Sequence, residues 1–102
     1  MKKVIDGKMY NTETAEWIAS YDNGLSRNDF GFCWEDLYRT KKGAFFVYGR
    51  GGALSRWSQR CGNGRCGGSG IEPLAEFEAR EWCETRNVDA DTITKYFTVE
   101  EA

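Results

Sequence analysis

Basic residues are concentrated in the middle of the chain, where they could bind an anionic partner. Residues 37–71 contain no Asp or Glu, so all 16 acidic residues lie outside this segment. Its formal charge is +7, whereas the rest of the chain carries 16 acids against seven bases, or −9. Because a surface with one sign of charge attracts oppositely charged partners, the pattern indicates a binding function. The seven bases are Arg39, Lys41, Lys42, Arg50, Arg56, Arg60 and Arg65.

Aromatic residues and glycines lie between these bases, which favours nucleic acid as the partner. Nine of the 12 glycines fall between Gly43 and Gly70. Single-stranded nucleic acid is bound by cations that contact phosphates and by aromatic faces that stack on bases. The alternative is that about half of the aromatic side chains belong to the core, and that the bases neutralise the acidic C-terminal helix of the same molecule. The candidate binding residues are Lys41, Lys42, Arg50, Arg56, Trp57, Arg60 and Arg65.

A second candidate surface is acidic and lies in the last third of the chain. Residues 72–102 contain nine acids against three bases, so their formal charge is −6. A helix with such charges could imitate a phosphate track, and an aromatic residue among them could anchor an interface. The alternative is a solvated helix face that keeps the protein in solution. The candidate residues are Glu76, Phe77, Glu81 and Glu84.

Catalytic patterns are weak in this sequence, and we expect no enzyme activity. The chain has no His, which removes the commonest general base and the Ser-His-Asp triad. The neighbouring carboxylates Glu35 and Asp36 should point to opposite faces of a strand, so they do not form an acid/base pair. Residues 62–67 match G-x-G-x-x-G, but an edge strand and not a helix is expected after them, which argues against dinucleotide binding.

Four cysteines raise the question of a metal site, although we expect no cofactor. Cys61 and Cys66 have a C-x4-C spacing that could supply half of a tetrahedral zinc site. Cys33 and Cys83 stand alone beside tryptophans, where a thiol acts as a small buried apolar group. A zinc-stabilised structural module is therefore an alternative, and a Cys61–Cys66 disulfide could form on oxidation.

The spacing of apolar and turn residues predicts an α+β fold. We expect a single domain over residues 1–102, in which an antiparallel sheet of four or five short strands carries two or three helices on one face. Turn signals at Asp6-Gly7 and at residues 41–43 predict two hairpins. The glycine-rich segments at 49–52 and 61–70 are expected to be loops.

Helices are predicted where capping residues precede amphipathic segments. One helix is expected from residue 11 or 12 to residue 20 or 21. One or two helical turns are expected over residues 53–60, where Arg56 would stack on Arg60. The other expected elements are an irregular strand at 30–34, an edge strand at 71–74, a helix from there to about Arg86, and a last helix, capped by Asp89 or Asp91, that runs through Phe97.

The sequence predicts a protein that stays in the cytoplasm of its host cell. No apolar run approaches the roughly 18–20 residues that a membrane-spanning helix needs. The N-terminal segment becomes polar too early for a signal peptide. A homodimer is an open alternative, because the acidic helix of one copy could face the basic segment of another.

Four segments resemble a group of small proteins encoded by phages and mobile elements of Gram-positive and gut bacteria. These segments are residues 3–15 (KVIDGKMYNTETA), 37–43 (LYRTKKG), 48–55 (YGRGGALS) and 71–74 (IEPL). Short proteins of that context are similar to anti-CRISPR and other anti-defence inhibitors. The resemblance implies a cofactor-free protein that occludes a nucleic-acid or partner site on a host complex.

These observations together predict a non-enzymatic interaction protein. The expected partner is a host protein or ribonucleoprotein defence complex such as CRISPR-Cas, and the protein would inhibit it by covering a site with a charged surface. The alternative is a small nucleic-acid-binding accessory or regulatory protein that uses the arginine-rich segment directly.

Overall fold

Antiparallel strands make up most of the regular secondary structure, and two short helices follow them. The computed structural model describes residues 1–102 as eight strands and two helices. The α+β class expected from the sequence is confirmed. In chain order the elements are β1 (Lys2–Ile5), β2 (Lys8–Asn11), β3 (Glu16–Asp22), β4 (Cys33–Arg39), β5 (Phe45–Gly51), β6 (Gln59–Cys61), β7 (Gly64–Cys66), β8 (Gly68–Leu74), α1 (Glu76–Thr85) and α2 (Ala90–Tyr96).

The main sheet has four antiparallel strands in the order β3-β4-β5-β8. The β1–β2 and β6–β7 hairpins form two further sheets of two strands each. The predicted turns are confirmed, since Asp6, Gly7 and Gly43 have φ values of 50°, 75° and 90°. The predicted edge strand is also confirmed, and Pro73 lies in it on β8.

Both helices pack on one face of the main sheet, as predicted, and build the larger core there. Alternation along β5 directs Phe45 and Val47 to this face. They join Ala79 and Trp82 from α1 and Phe97 from the end of α2 in one buried cluster. The Phe45 and Phe97 rings are stacked with their centroids 5.0 Å apart. The sheet face that carries β4 residue Glu35 is therefore closed by α1.

The β1–β2 hairpin contributes to a smaller core on the opposite face. Phe46 is fully buried there and contacts Tyr10 edge-to-face, with ring centroids 5.5 Å apart. Tyr38 stacks on the same ring at 5.2 Å, and Ile71 completes the cluster. The expectation that about half of the aromatics of the basic segment are core residues is thus correct.

The helix predicted before the main sheet is wrong, because this segment forms a turn and then β3. The Asn11 carbonyl accepts the N–H of Ala15 at 3.0 Å and closes the turn. The pairing of β3 with β4 then shifts register between Trp17 and Ala19. This bulge brings the consecutive residues Ile18 and Ala19 both into the core, so the apolar pattern of the strand resembled that of a helix.

The helical turns predicted at residues 53–60 are also wrong. The backbone makes isolated turns, in which the N–H of Ser55 donates to Gly52 at 3.0 Å and the N–H of Ser58 to Ser55 at 3.1 Å. β6 follows directly. Arg56 and Arg60 therefore do not stack on one helix face.

The glycine-rich segments are largely strands and not the predicted loops. Gly49 lies in β5. The indole of Trp57 packs against it, and only glycine fits there because a Cβ would come within 1.8 Å of that ring. The later segment folds as β6, a turn with Gly62 at a φ of 55°, β7 and the start of β8. The irregular strand predicted at 30–34 begins only at Cys33.

The two C-terminal helices lie where the sequence predicted them. α1 ends at Thr85, and Asn87 follows it with a φ of 56°. Asp89 caps α2 by accepting the N–H of Thr92 at 3.2 Å. Trp82 on α1 and Arg86 directly after it thereby face the sheet, where both contact Glu35.

Candidate functional site

Glu35 is a fully buried carboxylate at the centre of the sheet face covered by α1. Its register partner on β5 is Gly49, which leaves room for side chains above the carboxylate. Each of its two oxygens accepts one indole N–H and one guanidinium N–H. The donors are Trp82 Nε1 at 2.8 Å, Arg86 Nη2 at 3.0 Å, Trp57 Nε1 at 2.9 Å and Arg56 Nη1 at 3.2 Å.

These donors keep Glu35 ionised in spite of its burial. Burial alone would raise the pKa of the carboxyl group, because it disfavours the charged form. The hydrogen bonds from Trp82 and Trp57 and the charges of Arg86 and Arg56 outweigh burial, so the pKa lies below its ordinary value. We call these five residues the Glu35 network. It ties α1 and the segment after β5 to the centre of the sheet.

Arg56 and Trp57, two of the binding residues predicted from the sequence, belong to this network. Arg56 also pairs with Glu72 on β8, and its guanidinium lies 4.6 Å from the centroid of the Trp57 ring. Arg86 lies between the rings of Tyr21 and Trp82, at 5.0 and 4.9 Å. Both cations are therefore engaged within the fold.

A groove of about 550 Å³ opens at the C-terminal end of β5, directly beyond Gly49, and contains three different arginines. Arg27 comes from the turns before β4, Arg50 from β5 and Arg65 from β7. We call this site the arginine groove. Its other lining residues are Asn28, Asp29, Phe30, Phe32, Gly51, Gly52, Ala53, Cys66, Gly67 and Gly68.

The three arginines of the groove have no acidic partner within 4 Å. All ion pairs of the protein involve Arg56, Arg80 or Arg86. Six of the seven bases in the central segment are therefore unpaired, with Arg56 as the exception. No base of this segment forms an ion pair with the acidic C-terminal helix, since Arg56 contacts Glu35 on β4 and Glu72 on β8.

Neighbouring groups hold two of the groove arginines in place. Arg65 donates from Nε to the Ser58 hydroxyl at 2.8 Å and from Nη2 to the Ser58 carbonyl at 2.9 Å. The guanidinium of Arg50 lies 5.4 Å from the centroid of the Trp34 ring. Fixed guanidinium groups lose less entropy when they bind a phosphate or carboxylate in bidentate geometry.

Glycines form the walls of the groove because backbone segments cross there in direct contact. A Cβ on Gly52 would lie 2.4 Å from the carbonyl oxygen of Phe30. A Cβ on Gly67 would lie 2.8 Å from the carbonyl oxygen of Gly51. Glycine is therefore required at these positions for the backbone segments to cross.

Two exposed apolar side chains, Phe30 and Leu54, lie at this site. Their exposed fractions are 68% and 79%, and the N–H of Leu54 donates to the Phe30 carbonyl at 2.8 Å. Neither Phe30 nor Arg27 was a candidate from the sequence. Arg27 lies outside the acid-free segment, and the alternation of Phe30 with Phe32 suggested a strand. The three consecutive turn residues Ser26, Arg27 and Asn28 were the available signal for an exposed loop.

The remaining predicted basic residues do not share one site. Arg60 lies on β6 directly opposite Arg65 on β7, and both are exposed. Lys41 and Lys42 lie in the β4–β5 turn and line a separate cavity of about 530 Å³ next to the β1–β2 hairpin. The structure thus brings Arg50 and Arg65 together and adds Arg27 to them.

The acidic candidates occupy the outer side of α1. Glu76, Glu81 and Glu84 are exposed, and Phe77 among them is 57% exposed. Glu84 lies 3.8 Å from Arg80 Nε, and this is the one ion pair on that face. The orientation expected for Phe77, away from the apolar side of the helix, is confirmed.

The cysteines do not assemble into a metal-ligating group. No set of three or more His, Cys, Asp or Glu side chains is placed to hold a metal ion, so the zinc-module alternative gains no support. Cys83 is buried against the sheet, and burial raises the pKa of its thiol to about 11. Burial and the nearby Glu35 carboxylate likewise raise the pKa of Cys33.

Neither the helices nor known proteins indicate a function for this chain. No helix of the protein is long and apolar enough to cross a membrane. No protein-family model, curated protein or solved structure matches the chain.

Proposed function

We propose that this chain is a non-enzymatic interaction protein whose arginine groove binds a phosphate-bearing partner. The observation that carries the proposal is the convergence of Arg27, Arg50 and Arg65 on one groove with no acidic partner. The three positive charges outnumber the one acidic lining residue, Asp29, so an anion in the groove is attracted. Guanidinium groups bind phosphate oxygens in bidentate geometry, which makes phosphate a fitting ligand.

The resemblance to mobile-element proteins supports a biological setting for this binding. In that setting the protein inhibits a bacterial defence complex, such as a CRISPR-Cas ribonucleoprotein, by binding the nucleic acid of that complex. A nucleic-acid-binding accessory protein would use the same groove without such a target. Both versions predict direct contact between arginines and phosphates, and they differ in whether a host complex is also bound.

Titration of labelled oligonucleotides at about 50 and 200 mM salt tests the proposal. Binding through several phosphates should lose affinity with a slope of roughly 0.7–0.9 log units per neutralised phosphate per log unit of salt. The variant Arg50→Glu/Arg65→Glu should abolish binding. The matched control Lys3→Glu/Lys8→Glu makes the same change in net charge on the β1–β2 hairpin and should retain most of it. Equal losses in both variants would contradict a groove-specific site.

The outer face of α1 is a second candidate surface, because Phe77 is exposed among acidic side chains. An aromatic side chain in such a position can act as the anchor of a protein interface. Phe77→Ala should then weaken capture of a defence complex and leave oligonucleotide binding unchanged. Loss of capture in Arg50→Glu/Arg65→Glu but not in Phe77→Ala would reject this face.

A further inference from the structure

Phe30 is held in an exposed position beside the arginine groove by its backbone. Its carbonyl accepts the N–H of Leu54 at 2.8 Å. The turn around it is closed by Asp29, whose carboxylate accepts the N–H of Gly31 at 2.7 Å and whose carbonyl accepts the N–H of Phe32 at 3.1 Å. The ring is therefore presented from a fixed backbone, with 68% of the residue exposed.

The Phe30 ring has no aromatic partner within the protein. The aromatic pairs are Tyr10–Phe46, Tyr38–Phe46 and Phe45–Phe97, and no cation lies over the Phe30 ring. An unpaired aromatic face next to unpaired cations is the combination that binds single-stranded nucleic acid, whose bases have accessible faces. In a duplex the base faces are stacked on each other and are not available.

The concave shape of the site also favours a single strand. Duplex readers insert a projecting helix or β-ribbon into the major groove. Here the arginines line an open groove together with Gly51, Gly52 and Gly67. An extended strand can lie in such a groove and place its phosphates against the guanidinium groups.

We infer that the arginine groove binds single-stranded nucleic acid, with phosphates on Arg27, Arg50 and Arg65 and one base stacked on Phe30. This inference rests on the proposed function and names its substrate class. Stacking on one aromatic residue should improve affinity by about 5- to 150-fold. Stacking involves no counterion release, so it should leave the salt dependence of binding unchanged.

Phe77 provides a matched control for Phe30, since both phenylalanines are exposed and lie on different surfaces. The experiment measures fluorescence anisotropy of a labelled single strand of about 12 nucleotides and of the corresponding duplex. The proteins are wild type, Phe30→Ala, Phe30→Trp, Phe77→Ala and Arg50→Glu/Arg65→Glu, and thermal unfolding verifies that each is folded. We expect tighter binding of the single strand, a loss of at least about fivefold in Phe30→Ala, and rescue in Phe30→Trp.

The outcomes separate the inference from the proposed function. Equal binding of strand and duplex, or unchanged single-strand affinity in Phe30→Ala, would overturn the inference. The proposed function would survive that result if Arg50→Glu/Arg65→Glu still abolished binding. If no oligonucleotide bound at about 50 mM salt, the phosphate-binding function itself would be rejected.

Discussion

The Glu35 network and the arginine groove use the same residue type in opposite ways. In the network, Arg56 and Arg86 surround a buried carboxylate, and together with two indoles they take up both of its oxygens. In the groove, three arginines lie together without any acidic partner. The first arrangement stabilises the fold, and the second leaves charge available for a ligand. Formal charge alone does not distinguish them, because the difference depends on where the fold places one glutamate.

Removal of the buried carboxylate should have the largest effect. Glu35→Gln leaves Arg86 without its counter-ion and Arg56 with Glu72 alone, so we expect a loss of about 3–5 kcal/mol in the free energy of unfolding. Glu84→Gln is the matched control, because Glu84 is exposed and pairs only with Arg80 at 3.8 Å. Its effect should stay within about 0.5 kcal/mol. Urea unfolding followed by tryptophan fluorescence measures both, and similar losses would contradict the role given to Glu35.

A pair of arginine variants should separate the two regions. Arg86→Met removes a charged hydrogen bond from Glu35 and should cost about 1.5–3 kcal/mol of stability without changing oligonucleotide affinity. Arg27→Met should change stability by less than about 0.5 kcal/mol but weaken binding and reduce its salt dependence. The comparison fails if the two variants affect stability equally.

The glycine under Trp57 offers a test of the packing that supports the network. A Cβ at Gly49 would overlap the Trp57 ring and push its N–H away from Glu35, so Gly49→Ala should cost about 1–3 kcal/mol. Gly64 in β7 has no atom within 4 Å of an added Cβ, and Gly64→Ala should be close to neutral. Thermal unfolding of the two variants checks this, and a stable Gly49→Ala protein would contradict the packing.

Acid should weaken the Glu35 network. Above about pH 4 this effect on the free energy of unfolding should be the smallest of those predicted. The folded pKa of Glu35 lies below the unfolded value of about 4.3, so its contribution to stability is present above that value. It is lost as the pH falls through the folded pKa. Wild type should therefore lose stability more steeply than Glu35→Gln below about pH 4. Parallel curves for the two proteins would argue against an ionised Glu35.

Local signals in the sequence were sufficient for much of the fold. Asp6-Gly7 and Lys41-Lys42-Gly43 fixed two hairpins, and Asp89 fixed the start of α2. The helix predicted from residue 11 or 12 to residue 20 or 21 failed because the bulge in β3 is set by pairing with β4, and it gives the strand two consecutive apolar residues, as in a helix. Gly49 and Gly52 suggested a loop because glycine is common in loops. Here glycine is needed because Trp57 packs on Gly49 and the Phe30 backbone packs on Gly52, and neither contact can be read from the local sequence.

The site was predictable only in part for a similar reason. The acid-free segment includes Arg50 and Arg65, which the fold brings together in one groove. It could not exclude Arg56, whose partner Glu35 is 21 residues away in the chain. Nor could it include Arg27, which joins the groove because the turns before β4 pack against the end of β5. Long-range contacts of this kind decide which arginines form ion pairs within the protein and which remain unpaired at its surface.

The placement of Arg60 directly opposite Arg65 gives salt two opposing effects on this protein. Like charges in cross-strand positions destabilise a hairpin, and added salt screens their repulsion. Amide exchange in β6 and β7 of the free protein should therefore slow as ionic strength rises. The complex with an anionic ligand responds in the opposite direction, because salt competes for the same charges. The hairpin is consequently most open to local unfolding at the low ionic strength at which the groove binds most tightly, and ligand binding should protect it there.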